Sequence, residues 1–210
     1  ALCIGIMVFG STIRVFNNTS KFDVVGLKGQ LKTGSVFAII MGVTSLNTSI
    51  DTLMVSHFLS LKDVGYYNVA LKLASLVAFS TVVSASIYTN KFSSAAYIND
   101  GLQVKKLLKA ATFQSSILAV IVFIVILVLH EFLLELWGDD FIVASLPFFI
   151  LALAQLINVF FGPIGVLLSV AGFENTVLKS TAATLCLNIF LNWYLVPLYG
   201  LTGAACATAL

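Results

Sequence analysis

Two ionisable side chains, Asp51 and Lys72, stand inside long apolar runs of the chain. A charge near the middle of a bilayer is costly even on lenient insertion scales, so it normally faces a partner or a wet cavity. The two runs meet at a short connection around Ser60 to Val64. Asp51 precedes Ser60 by nine positions and Lys72 follows Val64 by eight. At about 1.5 Å per helical residue both lie roughly 12–14 Å from the turn, at one depth. They can pair with each other or line the same cavity. A buried ion pair that fixes helix register is the structural alternative. The functional reading is favoured because burying both charges for packing alone costs desolvation that apolar residues avoid.

Other polar residues follow the same helical spacing. Thr44, Asn47, Thr48 and Asp51 fall on one face at i, i+3, i+4 and i+7, and Asn68, Lys72 and Ser75 do so on the next helix. Gln155, Asn158, Gly162, Gly165 and Ser169 repeat every three to four residues, and Ser180, Thr184, Asn188 and Asn192 recur at four-residue steps. Small residues and amides also serve as glue between membrane helices, which accounts well for Gly162, Gly165 and Ser169. It accounts less well for amides gathered at the depth of an Asp and a Lys, where a hydrated central cavity is the better expectation.

The elements that must position these residues are membrane spans. The 210-residue sequence is 60% hydrophobic and 10% charged, whereas a soluble domain carries about 25% charged residues. Runs of roughly 18 or more apolar residues suffice to cross a hydrocarbon core about 30 Å thick. The expected architecture is an all-α polytopic membrane bundle. Spans are predicted near 1–16, 35–59, 65–90, 110–130, 142–170, 177–197 and 201–210. The chain opens at Ala1 without an initiator Met and closes at Leu210 inside an apolar run, so a piece of a longer protein is expected.

Basic residues test that count. Arg14, Lys21, Lys28, Lys32, Lys91, Lys105, Lys106, Lys109 and Lys179 fall in the first, third and fifth connections, and only Lys62 falls in the others. Asp63, Glu131, Glu135, Asp139 and Asp140 lie on that second side. The positive-inside rule then places the loops near 17–34, 91–109 and 171–179 in the cytoplasm. A wrong helix count would have scrambled this partition. The first connection mixes Phe22, Val24, Val25, Leu27 and Leu31 with lysines. It suits either a short amphipathic helix on an anionic leaflet or a solvated linker.

The remaining features are modest. Gly162-Pro163 interrupts the fifth span, where a kink and a hinge are expected. Cys3, Cys186 and Cys206 lie in spans without paired spacing and read as buried, inert thiols. The Asn17-Asn18-Thr19 sequon falls on the cytoplasmic side and is discounted. His57, His130, Trp137, Trp193, Tyr194 and Tyr199 fall near the outer ends of spans, as interfacial residues do. There is no phosphate-binding glycine loop, no His-Glu zinc signature and no long loop for a catalytic domain. No metal, nucleic-acid partner or enzymatic activity is expected.

The stretches Ile50-Asp51-Thr52-Leu53-Met54 and Leu59-Ser60-Leu61-Lys62-Asp63-Val64-Gly65-Tyr66-Tyr67-Asn68-Val69-Ala70 resemble the seventh and eighth helices of polysaccharide flippases. These belong to the multidrug/oligosaccharidyl-lipid/polysaccharide exporter superfamily. Leu136-Trp137-Gly138-Asp139-Asp140-Phe141, the Gly162-Pro163 segment and Pro197-Leu198-Tyr199-Gly200-Leu201-Thr202-Gly203-Ala204-Ala205 extend the resemblance over about 160 residues. Each motif alone is loose; their order and spacing are more specific. The resemblance implies that residues 1–16 end an N-terminal lobe, 17–34 link the lobes in the cytoplasm, and 35–210 form most of a C-terminal lobe. It further implies alternating-access transport of undecaprenyl-diphosphate-linked oligosaccharide across the bacterial plasma membrane, for surface polysaccharides such as O-antigen. Coupling would be to H+ or Na+, with membrane lipids and polysaccharide polymerase machinery as neighbours. Lys72 would then contact the anionic diphosphate, and Asp51 would be its counter-charge or a proton or sodium site.

Three other readings compete. A multidrug cation antiporter of the same fold needs a cavity dominated by acid rather than a balanced Asp–Lys pair. A membrane polymerase or glycosyltransferase needs carboxylate or Arg/His clusters at a membrane face. The largest acidic group here, Glu131 to Asp140, occupies a loop of roughly ten residues with no basic partner. A non-transporting scaffold has no use for charges at the midplane.

Overall fold

Nothing between Val24 and Ala209 favours strands, and the described chain is helical throughout. The computed structural model describes residues 24–98 and 100–209. The first predicted span, the sequon and Cys3 lie outside them. Helix α1 runs Val24–Phe58, α2 Leu61–Tyr97, α3 Gly101–Val128 and α4 His130–Glu135. A 3-10 turn at Asp139–Ala144 leads into α5, Ser145–Phe160, followed by α6, Ile164–Val170, and α7, Glu174–Ala209. Residues 36–209 belong to one compact unit, separate from the residues before it.

Among the described residues, five stretches are long and apolar enough to cross a membrane: Gly34–Phe58, Leu61–Tyr97, Gly101–Val128, Asp139–Phe160 and Glu174–Ala209. Phe79, Phe113 and Phe190 are each more than 60% exposed, which an apolar solvent around the bundle would reward. The chain is a multi-pass helical membrane protein. Its tightest seam joins α2 to α3 through small buried residues, Ser80, Ser84, Ala111, Ser115 and Ala119. There the Ser84 hydroxyl donates to the Ala111 carbonyl at 2.9 Å. Small side chains let two helices approach closely where lipid supplies no hydrophobic drive.

Local chemistry sets the turns. Ser60 and Asp63 form a capping box: the Asp63 carboxylate accepts from the Ser60 amide at 3.0 Å, and the Asp63 amide donates to the Ser60 hydroxyl at 3.3 Å. Asp100 caps α3 by accepting from the Gln103 amide at 2.9 Å. The loop expected across 91–109 is mostly helix, since α2 continues to Tyr97 and α3 begins at Gly101. Lys91, Lys105, Lys106 and Lys109 ride on these extensions. Hydropathy marks where an apolar run ends, and a helix without Gly or Pro continues past that point. Residues 24–33 are helical as well, at the start of α1.

Two expectations about the later spans change. Gly162-Pro163 does not bend a continuous helix but ends one: α5 stops at Phe160, and α6 starts at Ile164 after Gly162 adopts φ +73°. A Cβ at Gly162 would overlap the Thr112 side chain of α3. Gly165, expected to mediate close helix approach, has open space where a Cβ would stand. The second change is at Gly200, which breaks α7 with φ 60° and ψ −136°. A Cβ on Gly203 would overlap the Leu195 carbonyl, a contact that eight residues of continuous helix, about 12 Å, would forbid. The chain therefore doubles back at Gly200, and the predicted spans 177–197 and 201–210 are the two limbs of this hairpin. Cys186 is exposed on the first limb rather than buried, because it lies on the face away from Asn188 and Asn192; Cys206 is half-buried.

The hairpin makes a paired prediction. Gly203→Ala should lower stability by about 1–3 kcal/mol, because the added methyl meets backbone that cannot rotate away. Gly165→Ala should be neutral or slightly stabilising. Thermal unfolding in detergent distinguishes them, and equal behaviour would contradict the reversal at Gly200.

Candidate functional site

Asp51 is 2% exposed and sits where α1 meets both limbs of α7. The Asn192 side-chain amide donates to the Asp51 carboxyl at 2.8 Å. The same NH2 reaches the Asn188 side-chain oxygen at 2.9 Å and the Asn188 carbonyl at 3.1 Å. Asn188 and Thr208 also lie within hydrogen-bonding reach of Asp51. Thr208 donates to the Ala204 carbonyl and meets the Tyr67 hydroxyl at 2.8 Å, which ties α2 into the cluster. Oxygen atoms outnumber donors here, and the Asn192 side-chain oxygen is buried without a partner.

Of the two alternatives, the Asp51–Lys72 ion pair does not form: no ion pair within 4.0 Å joins them among the described residues. Asp51 is engaged by amides, while the Lys72 ammonium lies 6.0 Å from the centre of the Trp137 ring, at the limit of a cation–π contact. A lysine stem is long enough to carry its charge away from the depth of its own Cα. The other alternative, a shared cavity, is what the geometry contains. A cavity of about 470 Å³ is lined by Asp51 and Lys72 together with Asn47, Thr48, Gln155, Asn158 and Asn188. Leu71, Ser75, Thr184, Leu187, Ala207 and Thr208 complete its wall.

Two sequence-selected residues stand behind that wall. Asn192 is fully buried against Asp51. Asn68 accepts from the Thr52 hydroxyl at 3.1 Å and donates to the Val64 carbonyl at 2.8 Å, locking α1 to α2. Gly162 and Pro163 lie at the helix break, outside the cavity lining.

The hydroxyls decide between glue and cavity. Thr44, Thr48, Ser75, Ser169, Ser180 and Thr184 each donate to a carbonyl of their own helix three or four residues back. None of these bonds joins two helices, so these hydroxyls are not interhelical glue. Asn68, Asn188 and Asn192 are the members of the stripes that do the gluing. Gln155, Asn158 and Lys72 are left facing the cavity, with Lys72 and Asn158 exposed.

Sequence reasoning missed Thr208, Tyr67 and Trp137. A signal existed for Thr208, which stands eight residues after Gly200 as Asn192 stands eight before it. A reversal at that glycine brings the two to equal depth. Tyr67 is fully buried in an apolar run and carries no such mark.

Fold and site together define a multi-pass membrane protein whose helices enclose a polar cavity beside a buried carboxyl–amide cluster. Among known proteins, the chain is 27% identical over 162 residues to the probable low-salt glycan biosynthesis flippase Agl15 of Haloferax volcanii. The alignment covers 76% of this chain and 34% of that protein, so the chain spans about a third of the length of the curated relative it matches. No family model and no solved structure matches the chain.

The cluster predicts a coupling. Asn192→Leu should destabilise the protein by about 1–3 kcal/mol by leaving the buried Asp51 carboxyl short of a donor. In an Asp51→Leu background the same substitution should cost much less. A double-mutant cycle on thermal unfolding measures the difference, and additive effects would contradict the contact.

Proposed function

We propose that the protein is a membrane transporter that moves a lipid-linked oligosaccharide across the bilayer by alternating access. The observation that carries this reading is the polar cavity among apolar helices, with the Lys72 cation in its wall and no acid there left unengaged by amides. The similarity to a protein named as a glycan biosynthesis flippase supports the same substrate class. A diphosphate-linked carrier, undecaprenyl diphosphate in a bacterial plasma membrane, presents an anionic group that suits Lys72, while Gln155 and Asn158 offer hydrogen bonds to sugar hydroxyls. The multidrug cation antiporter has less support, because its cavity would need a free acid and Asp51 is bonded to Asn192.

The proposed orientation follows the positive-inside rule, with the Ser60 turn outside and the loops near 17–34, 91–109 and 171–179 in the cytoplasm. Between Gly34 and Phe58, α1 buries only Asp51, Met54 and Val55, all near the Ser60 end. His57 and Phe58 pack on Trp193 at that end, with ring centres 6.3 and 5.4 Å apart. This supports a form closed outside and open toward the cytoplasm. In the proposed reading residues 35–210 form most of one lobe and 1–16 end another. Gly162-Pro163 would serve as a hinge when the lobe moves. The oxygen-rich cluster of Asp51, Asn188 and Thr208 suits a coupling H+ or Na+, the latter being a hard cation that takes oxygen ligands. Any polysaccharide polymerase machinery would receive the translocated product.

Complementation tests the proposal. The full-length protein should restore surface glycan in a strain lacking its lipid-linked oligosaccharide flippase. Lys72→Ala and Asp51→Asn, at matched expression, should each lower that restoration several-fold. Normal surface glycan in both variants would remove Lys72 and Asp51 from the mechanism.

A further inference from the structure

The tip of the α2–α3 hairpin holds a second cavity, of about 610 Å³, away from the polar cavity described above. Its wall combines Tyr88 and Lys91 from α2 with Asp100, Gln103, Lys106, Leu107 and their neighbours from the start of α3. Two lysines from different helices thus share one concavity. Lys91 is held by its own aromatic neighbour, with the ammonium 5.2 Å from the centre of the Tyr88 ring. The Asp100 carboxylate is engaged in capping α3 through the Gln103 amide. The net charge of the lining is positive.

Depth identifies what such a site meets. About 20 helical residues cross the hydrocarbon core. Counted from the far ends of α2 and α3, that distance is used up before Tyr88 and Lys91 on one helix and near Lys106 on the other. The lysines and the tyrosine therefore stand at headgroup level. Leu102 and Tyr97, 84% and 89% exposed, present apolar surface beside them. Cation and amide donors at headgroup level, beside an apolar floor formed by Leu102, Leu107 and Ala110, match the phosphate and first acyl carbons of one lipid.

We propose that this groove binds the headgroup of an anionic phospholipid, with Lys91 and Lys106 on the phosphate and Gln103 as an auxiliary donor. The site is independent of the transported substrate, and it anchors the hairpin to the leaflet at this end of the bundle. Basic residues spread evenly over the surface would bind anionic lipid without preference among lysines. The groove instead singles out Lys91 and Lys106 from Lys105 and Lys109, which do not line it.

The test compares two double variants of the full chain purified in nanodiscs, K91Q/K106Q and K105Q/K109Q, which lose the same charge. Phosphatidylglycerol is titrated into a phosphatidylcholine background, and bound lipid is read by native mass spectrometry. Removing the groove lysines should weaken phosphatidylglycerol binding about tenfold or more, and removing the other two should change it less than threefold. Thermal unfolding of both variants controls for misfolding, and single K91Q and K106Q variants stand in if the double variant does not fold. Equal loss in both pairs, or no loss in the groove pair, would overturn the site. Displacement of the lipid by millimolar inorganic phosphate would overturn the lipid as its ligand.

Discussion

A carboxyl buried in an apolar bundle must be satisfied by whatever polar groups the neighbouring helices can bring to it. Among the described residues Asp51 has no cationic partner within ion-pair distance, and Asn192, Asn188 and Thr208 meet that demand. Much of the architecture follows from this. The α7 limbs must fold back at Gly200 for residues on both sides of the turn to reach one acid. Helix α1, which buries little else between Gly34 and Phe58, is held at this level by that bond, by Thr52 on Asn68 and by the packing of Met54 and Val55. The cluster is thus both the fastening of α1 and one wall of the cavity.

That dual role would link packing to the proposed transport. An element attached through a few polar contacts near one end can separate from the bundle at modest cost. An element fastened through extensive packing, as α2 is to α3 with Ser84 bonded to Ala111 among small buried residues, cannot. Whatever changes the occupancy of the Asp51 cluster would change the attachment of α1 as well. Under the proposed function, a proton or cation at the acid and a substrate in the cavity would be coupled through shared residues rather than over a distance. On this account Lys72 belongs to the substrate and Asp51 to the attachment, which explains why two charges of similar depth do not neutralise each other.

The sequence was informative where chemistry and periodicity coincide. Membrane-length helices, the turn at Ser60 and the convergence of Asn47, Thr48, Asp51, Lys72, Gln155, Asn158 and Asn188 on one cavity could all be anticipated from apolar runs and i, i+3, i+4 spacing. The partner of each charge could not. Spacing fixes the level of a Cα, while a lysine head travels several ångströms along its stem, and Lys72 ends at Trp137 instead of Asp51. Helical stripes also do not separate a residue facing a cavity from one bonded across an interface, so Asn68 and Asn192 were grouped with Asn158. Gly162-Pro163 announced an irregularity. The helix ends there because Gly162 takes φ +73°, a conformation that the Gly-Pro pattern permits but does not require.

Polar stripes that enclose a cavity in this way should hold water. Cysteine accessibility tests it most directly, in a background where Cys3, Cys186 and Cys206 are replaced by serine. In membranes, Ser75→Cys and Asn158→Cys should react with a membrane-impermeant maleimide added from the side to which the cavity opens. Ile121→Cys and Val125→Cys, on the outward face of α3, should not. Failure of Ser75→Cys and Asn158→Cys to react from either side of the membrane would contradict the account.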